Sequence, residues 1–94
     1  MTFQQIWNQS ANQIDFPALA GELSRLQTAM ENIAKQPSEK FAAGAVAAAA
    51  ESAQQKDGPK VIEYLKAAGK WALSVAQEIG VDLAADVLKT SLGM

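Results

Sequence analysis

The acidic residues whose spacing could support joint chemistry are Glu78, Asp82 and Asp86, which recur every four residues near the end of the chain. On one helix they would form a row on one face and repel by roughly 0.2–0.5 kcal/mol per pair. Paired carboxylates can serve glycoside hydrolysis or bind a hard cation, but Ca²⁺ and Mg²⁺ need more converging oxygens than one row supplies. We therefore interpret this row as a solvated acidic face.

The chain lacks the residues that most often support nucleophilic catalysis, because it contains no histidine and no cysteine. The serine and threonine hydroxyls have no imidazole base, and thiolate metal sites and disulfides are excluded. A Ser–Lys dyad is conceivable, but no serine lies in a recognisable motif. The run AAGAVAAAAE lacks the glycine spacing and the Lys-Ser/Thr end of a phosphate loop. We predict a protein that is not an enzyme, with no catalytic, cofactor-binding or metal site.

The charge balance and the lengths of the apolar runs limit the kinds of partner expected for the chain. Ten acidic and eight basic residues give a net charge of −2, which favours neither nucleic acid nor an anionic membrane. The longest apolar run, residues 41–50, is mostly alanine and much shorter than the roughly 20 residues of a spanning helix. The N-terminus does not resemble a signal peptide, and a chain without cysteine needs no oxidising compartment. We expect a cytoplasmic protein.

Hydrophobic spacing predicts an all-α fold, a small bundle of four to five helices in one domain spanning residues 1–94. The clearest pattern is a heptad-like seam between residues 16 and 33. Its members are Phe16, Leu19, Leu23, Leu26, Met30 and Ile33. The predicted helices are 2–14, 17–36, 38–56, 59–79 and 82–92.

Local signals set the boundaries of these helices. Ser38 is the predicted N-cap of the third, and Phe41 and Val46 are its only bulky anchors. Gly58 suits a left-handed residue ending that helix. A break at 80–81 separates the lysine-rich and acidic halves of the last long segment, which would otherwise oppose the helix dipole.

A row of small residues accompanies the helix predicted at 59–79. Gly69 lies in the middle of this helix and should lower the stability of the helix by about 1 kcal/mol relative to alanine. We interpret the glycine and the row of small residues as the place where another helix approaches closely, which small side chains permit. The row comprises Ala68, Ala72, Ala76, Gly80 and Ala84.

The N-terminal segment 2–14 is uncharged and rich in glutamine and asparagine, with apolar residues at helical spacing. We predict an amphipathic helix, either part of the domain or a separable arm; a strand pairing in self-assembly is the alternative. Aromatic residues are enriched and charges depleted at interface cores. Phe3, Ile6 and Trp7 are therefore candidate interface residues, although packing against the chain's own core would also explain them. Trp71 is a candidate for both core and interface.

The run Asp57-Gly58-Pro59-Lys60, followed by AGKWAL at 68–73, resembles a C-terminal helical segment of uncharacterised bacterial proteins. Some of those resemble components of phage-defence or abortive-infection loci. The resemblance covers roughly the last 40 residues and implies bacterial origin and an accessory role, without a named fold or reaction.

These observations favour a non-enzymatic helical interaction module that forms a homo-oligomer or docks onto a larger protein. One alternative is a membrane-active or toxin-like protein acting through the lysine-flanked helix LKAAGKWALSV. Another is a proteinaceous inhibitor or regulator of a host enzyme.

Overall fold

The computed structural model describes residues 15–93, and these residues contain helices and turns but no strand. The all-α prediction is therefore confirmed for this part of the chain. The predicted helix 2–14, with the candidate interface residues Phe3, Ile6 and Trp7, lies outside the described residues. The four described helices are α1 (Phe16–Ile33), α2 (Pro37–Gln54), α3 (Gly58–Ile79) and α4 (Asp82–Ser91).

The apolar seam of α1 forms one side of the core, as its spacing predicts. Its four central members, Leu19, Leu23, Leu26 and Met30, are fully buried. Ile33, the last member, is 48% exposed. The helix ends there, three residues before the predicted end at 36, because Ala34 already has extended dihedrals (φ −68°, ψ 125°).

The turn between α1 and α2 is fixed by Glu39, and Ser38 is not the N-cap as predicted. Gln36 holds that position with extended dihedrals, which the following Pro37 favours. One carboxylate oxygen of Glu39 accepts hydrogen bonds from the backbone N–H groups of Lys35 (3.0 Å) and Gln36 (3.1 Å). These bonds, together with the positive charge of Lys35, hold the pKa of Glu39 below its usual range.

Helix α2 packs against both α1 and α3, and its alanines make this possible. Alanine side chains on two sides of the helix, such as Ala43 and Ala49, are buried at 2% and 0% exposure. Their small size lets neighbouring helices pack closely along its length. Val46 is a core residue, as predicted, and is fully buried.

In the turn between α2 and α3, the residue with the left-handed conformation is not the one that was predicted. Lys56 has the positive φ (59°), whereas Gly58 already belongs to α3. Asp57 is the N-cap of α3, and its carboxylate accepts a hydrogen bond from the Lys60 backbone N–H at 3.3 Å. This cap shifts the start of the helix one residue ahead of the predicted Pro59.

Helix α3 is interrupted at Gly69, for a different reason from the one predicted. Gly69 has φ 81° and ψ −170°, a backbone conformation that is essentially restricted to glycine. A Cβ placed on Gly69 would meet nothing within 4 Å, so none of the other helices within residues 15–93 approaches it closely. The close-approach interpretation of Gly69 is therefore wrong, and its backbone conformation explains the glycine.

The row of small residues, which runs along α3 and ends in α4, is mostly buried, as a helix–helix contact requires. Ala68, Ala72, Ala76 and Ala84 are buried at 0–5% exposure. Gly80 is the exception, because it is exposed and ends α3 in the left-handed conformation (φ 80°). The predicted break at 80–81 is thus confirmed, and Asp82 begins α4.

Candidate protein-interaction groove

A shallow groove runs between α2 and α3 and combines small residues with aromatic ones. One section has a volume of about 490 Å³, and a second of about 360 Å³ continues from it. Residues 38–42 at the start of α2 lie beside residues 67–71 in the middle of α3, whereas residues 44–48 lie beside residues 63–67, so the two helices are antiparallel. We call this feature the aromatic groove. Its lining residues are Ser38, Glu39, Phe41, Ala42, Gly44, Ala45, Ala48, Glu63, Tyr64, Ala67, Ala68, Lys70 and Trp71.

Phe41 is the most exposed aromatic side chain among the described residues. The sequence suggested a core anchor, but Phe41 is 67% exposed and lies where the two sections of the groove meet. The core prediction for Phe41 is therefore wrong. Val46 and the alanines of α2 already fill the two buried sides of the helix, which leaves position 41 directed toward solvent.

Two further aromatic residues line the groove from α3. Tyr64 is 36% exposed, and Trp71 is half-buried. Trp71 packs against the hydrophobic core and also lines the second section of the groove. The structure therefore places Trp71 against the core, and its interface role stays a prediction. Tyr64 and Trp71 lie on the α3 side of the groove, whereas Phe41 lies on the α2 side.

The groove floor consists of small residues, and charged side chains occupy its edges. Gly44 and Ala67 are exposed, and Ala48 is half-buried. Glu63 and Lys70 are exposed and lie on either side of Ala67 along α3. Neither Glu63 nor Lys70 forms an ion pair within residues 15–93, and Glu39 lines the same section of the groove as Lys70 from the α2 side.

The interruption at Gly69 lies next to this groove. Ala67 and Ala68 line the groove before it, and Lys70 and Trp71 line the groove after it. Residues in sparsely populated backbone conformations cluster at binding and switch regions. The backbone of α3 therefore departs from regular geometry at the point where it presents Trp71.

A second surface groove lies between α1 and α2 and has a volume of about 370 Å³. It lacks an exposed large apolar side chain of the kind that Phe41 contributes to the aromatic groove. Polar side chains from both helices contribute to its walls, among them Ser24, Gln54 and Lys56. Phe16 is half-buried and is the one aromatic residue in its lining, whereas three aromatic residues line the aromatic groove. Because interface hot spots are enriched in aromatic residues, this groove is a weaker candidate for protein contact.

Clusters of metal-ligating side chains and membrane-spanning helices were both sought among the described residues. No group of three or more potential metal-ligating side chains occurs within residues 15–93. Glu78, Asp82 and Asp86 are exposed, as expected for a solvated acidic face, and the end of α3 separates Glu78 from the other two. No helix in this part of the chain has the length and apolarity needed to cross a bilayer.

Comparison of the chain with models of protein families, with curated proteins and with solved structures found no match.

Proposed function

We propose that this chain is a non-enzymatic interaction module that associates with a second copy of itself through the aromatic groove. Docking of the same groove onto a larger protein is the alternative. The observation that carries the proposal is the exposure of Phe41 beside Tyr64 and Trp71 over a floor of small residues. Aromatic side chains bury large apolar areas and dominate interface energetics.

The size of the chain supports association with a protein. A chain of 94 residues buries only about 60–65% of its unfolded surface, so its own core gives modest stability. A partner that binds the folded state adds stability by mass action. Covering Phe41 would remove apolar surface from water at roughly 25 cal/mol per Å².

A protein partner fits the fold better than a membrane surface does. The helix suggested for membrane binding is the central part of α3, and its apolar side faces the core. Insertion into lipid would require these residues to leave that core. The buried residues concerned are Leu65, Ala68, Ala72, Leu73 and Val75.

Phe3, Ile6 and Trp7 remain part of the proposal as a second contact between copies, on the grounds of their uncharged surroundings. A nucleic-acid partner is not proposed, because the net charge is only −2. The bacterial origin and accessory role rest on the resemblance of the run at 57–73. A cytoplasmic location is proposed because the chain has no cysteine to oxidise.

Size-exclusion chromatography with light scattering tests the proposal on the full chain. We expect a mass above that of one chain at high micromolar concentration. Phe41→Gln should shift the mass toward that of one chain, while circular dichroism stays helical. The control is Ile33→Gln, which removes a 48% exposed apolar side chain that lies outside the groove lining. A wild-type protein of single-chain mass, or a Phe41→Gln variant with unchanged mass, would contradict self-association through this groove.

A further inference from the structure

We infer that α4 is a lid that detaches from the rest of the fold as one unit, turning about Gly80, while α1, α2 and α3 stay folded. The hydrogen bond between the Glu22 carboxylate and the Ala84 backbone N–H is the latch that holds this lid closed. The inference concerns motion within one chain and does not depend on association through the aromatic groove.

Helix α4 is the smallest of the four described helices. It contains ten residues, whereas α1, α2 and α3 contain 18, 18 and 22. Helices shorter than about 12–15 residues are marginal in water by themselves, so α4 depends on packing against its neighbours. It packs against α3 and less extensively against α1, whereas α2 packs closely against both α1 and α3. The three longer helices therefore contact one another directly and keep this packing when α4 leaves.

The surface that α4 and its N-cap bury is small compared with that of α1. Only one leucine and two valines are its large buried side chains, whereas α1 buries three leucines and a methionine. Ser91 is also fully buried, but its hydroxyl donates a hydrogen bond to the Val87 carbonyl oxygen, at 2.8 Å, inside α4 itself. This bond does not attach α4 to another helix. The apolar residues buried at 0–6% exposure are Val81, Ala84, Ala85, Val87 and Leu88, and Leu83 and Leu92 are half-buried beside them.

The connection between α3 and α4 has the properties of a hinge. Gly80 is exposed and left-handed (φ 80°), and a Cβ placed on it would meet nothing within 4 Å. Glycine adopts left-handed and right-handed conformations about equally readily. Hinges are a few residues at the ends of elements that absorb changes in φ and ψ. Gly80 can therefore change conformation without steric resistance from the described residues and swing α4 away from α1.

Glu22 opposes this motion, because it joins α1 to the first turn of α4 across a distance of 3.0 Å to the Ala84 nitrogen. Val81 provides no side-chain cap, so the Glu22 carboxylate performs that role while the lid is closed. A lost N-cap typically corresponds to about a fivefold change in an equilibrium constant. While closed, α4 covers apolar surface of α1 and α3, so the latch controls whether that surface is exposed to water.

Hydrogen exchange of the full chain at low micromolar concentration, followed by mass spectrometry, tests the lid. Amide exchange measures how often each part of a fold opens. We expect the amides of residues 85–91 to exchange together, at least about tenfold faster than the slowest amides of α1 and α3. Exchange of residues 85–91 at the same rate as those slowest amides would overturn the lid, because α4 would then open only when the whole chain unfolds.

Val46→Ala separates lid opening from unfolding of the whole chain. Val46 is fully buried on α2, the helix that packs against α1 and α3. Removing two buried methyl groups destabilises the lid-closed and lid-open states equally, but not the unfolded state. The slowest amides should therefore exchange about tenfold faster, whereas residues 85–91 keep their rate. An equal acceleration at residues 85–91 would contradict independent opening of α4.

Glu22→Ala tests the latch in the same experiment. We expect the amides of residues 85–91 to exchange about fivefold faster than in the wild type, because the closed lid has lost its cap. Glu51→Ala, which removes an exposed glutamate from α2, is the control and should leave these rates unchanged. An unchanged rate at residues 85–91 in Glu22→Ala would overturn the role of Glu22 as the latch.

Discussion

Glu22 caps a helix that begins 60 residues later in the chain: one of its carboxylate oxygens accepts a hydrogen bond from the Ala84 backbone N–H at 3.0 Å. Ala84 lies in the first turn of α4, whose own N-cap, Val81, has no side-chain acceptor. The first N–H groups of a helix have no partner within the helix and need one from elsewhere. Glu22 therefore attaches α4 to α1 and compensates for the missing cap.

Glu22→Ala should lower the free energy of unfolding by about 1 kcal/mol, the typical value of a lost N-cap. Glu22→Gln keeps an acceptor and should lose less. Urea denaturation provides the measurement. Glu51→Ala, which removes an exposed glutamate from α2, is the control and should have little effect. Equal effects at positions 22 and 51 would show that the contact with Ala84 contributes no stability.

Alanine substitutions at Gly69 and Gly21 should change stability in opposite directions. A Cβ meets nothing within 4 Å at either site, so crowding does not distinguish them. Gly69 has φ 81°, and alanine there should destabilise by about 1–3 kcal/mol through backbone strain. Gly21 lies inside α1, and alanine there should stabilise by up to about 1 kcal/mol. Thermal unfolding measures both. A stabilising Gly69→Ala would contradict the non-helical conformation of α3 at this residue.

The contribution of Glu39 to stability should depend on pH. Its pKa is lowered by the backbone N–H groups of Lys35 and Gln36 and by the charge of Lys35. A carboxyl with a lower pKa in the folded state stabilises that state above its unfolded pKa, and the effect is lost as pH falls through the folded value. The difference in Tm between the wild type and Glu39→Gln should therefore be largest near neutral pH and shrink in acid. A difference that does not vary with pH would exclude this role.

Deletion of residues 1–14 distinguishes an association segment from a core element. Residues 15–93 already enclose a hydrophobic core to which all four of their helices contribute. We therefore expect the shortened chain to remain helical and folded, while its assembly state falls through loss of Phe3, Ile6 and Trp7. Circular dichroism and light scattering report the two properties separately. Unfolding of the shortened chain would instead make the segment a core element.

Much of the fold follows from local patterns in the sequence. The seam containing Leu23 and Leu26 has the period of a helix, and burial of that seam against other helices confirms it. Gly80 has a residue type that often ends a helix, and the charges along the chain change from basic to acidic near it. The start of α4 was therefore predictable. These features were accessible because each depends on a short stretch of chain.

Other features depend on residues distant in sequence or on which of two local signals prevails. The bond between Glu22 and Ala84 has no local signature. Ser38 is a favourable cap by type, but Pro37 and the hydrogen bonds of Glu39 place the cap at Gln36. Phe41 was expected in the core because it is a large apolar residue. Residue type alone does not show that alanines already fill the buried sides of α2. The aromatic groove was missed for that reason, although Trp71 was identified as a candidate interface residue.

The association surface can be located by recording ¹H–¹⁵N correlation spectra of the full chain from low to high micromolar concentration. Self-association through the aromatic groove predicts concentration-dependent amide shifts at residues 41–48 of α2 and 63–71 of α3, with smaller changes across α1 and α4. In the same series on Phe41→Gln, these amide shift changes should appear only at higher protein concentration. Spectra that do not change with concentration, or shifts concentrated on α1 and α4, would contradict the proposal that this groove is where the chain meets its partner.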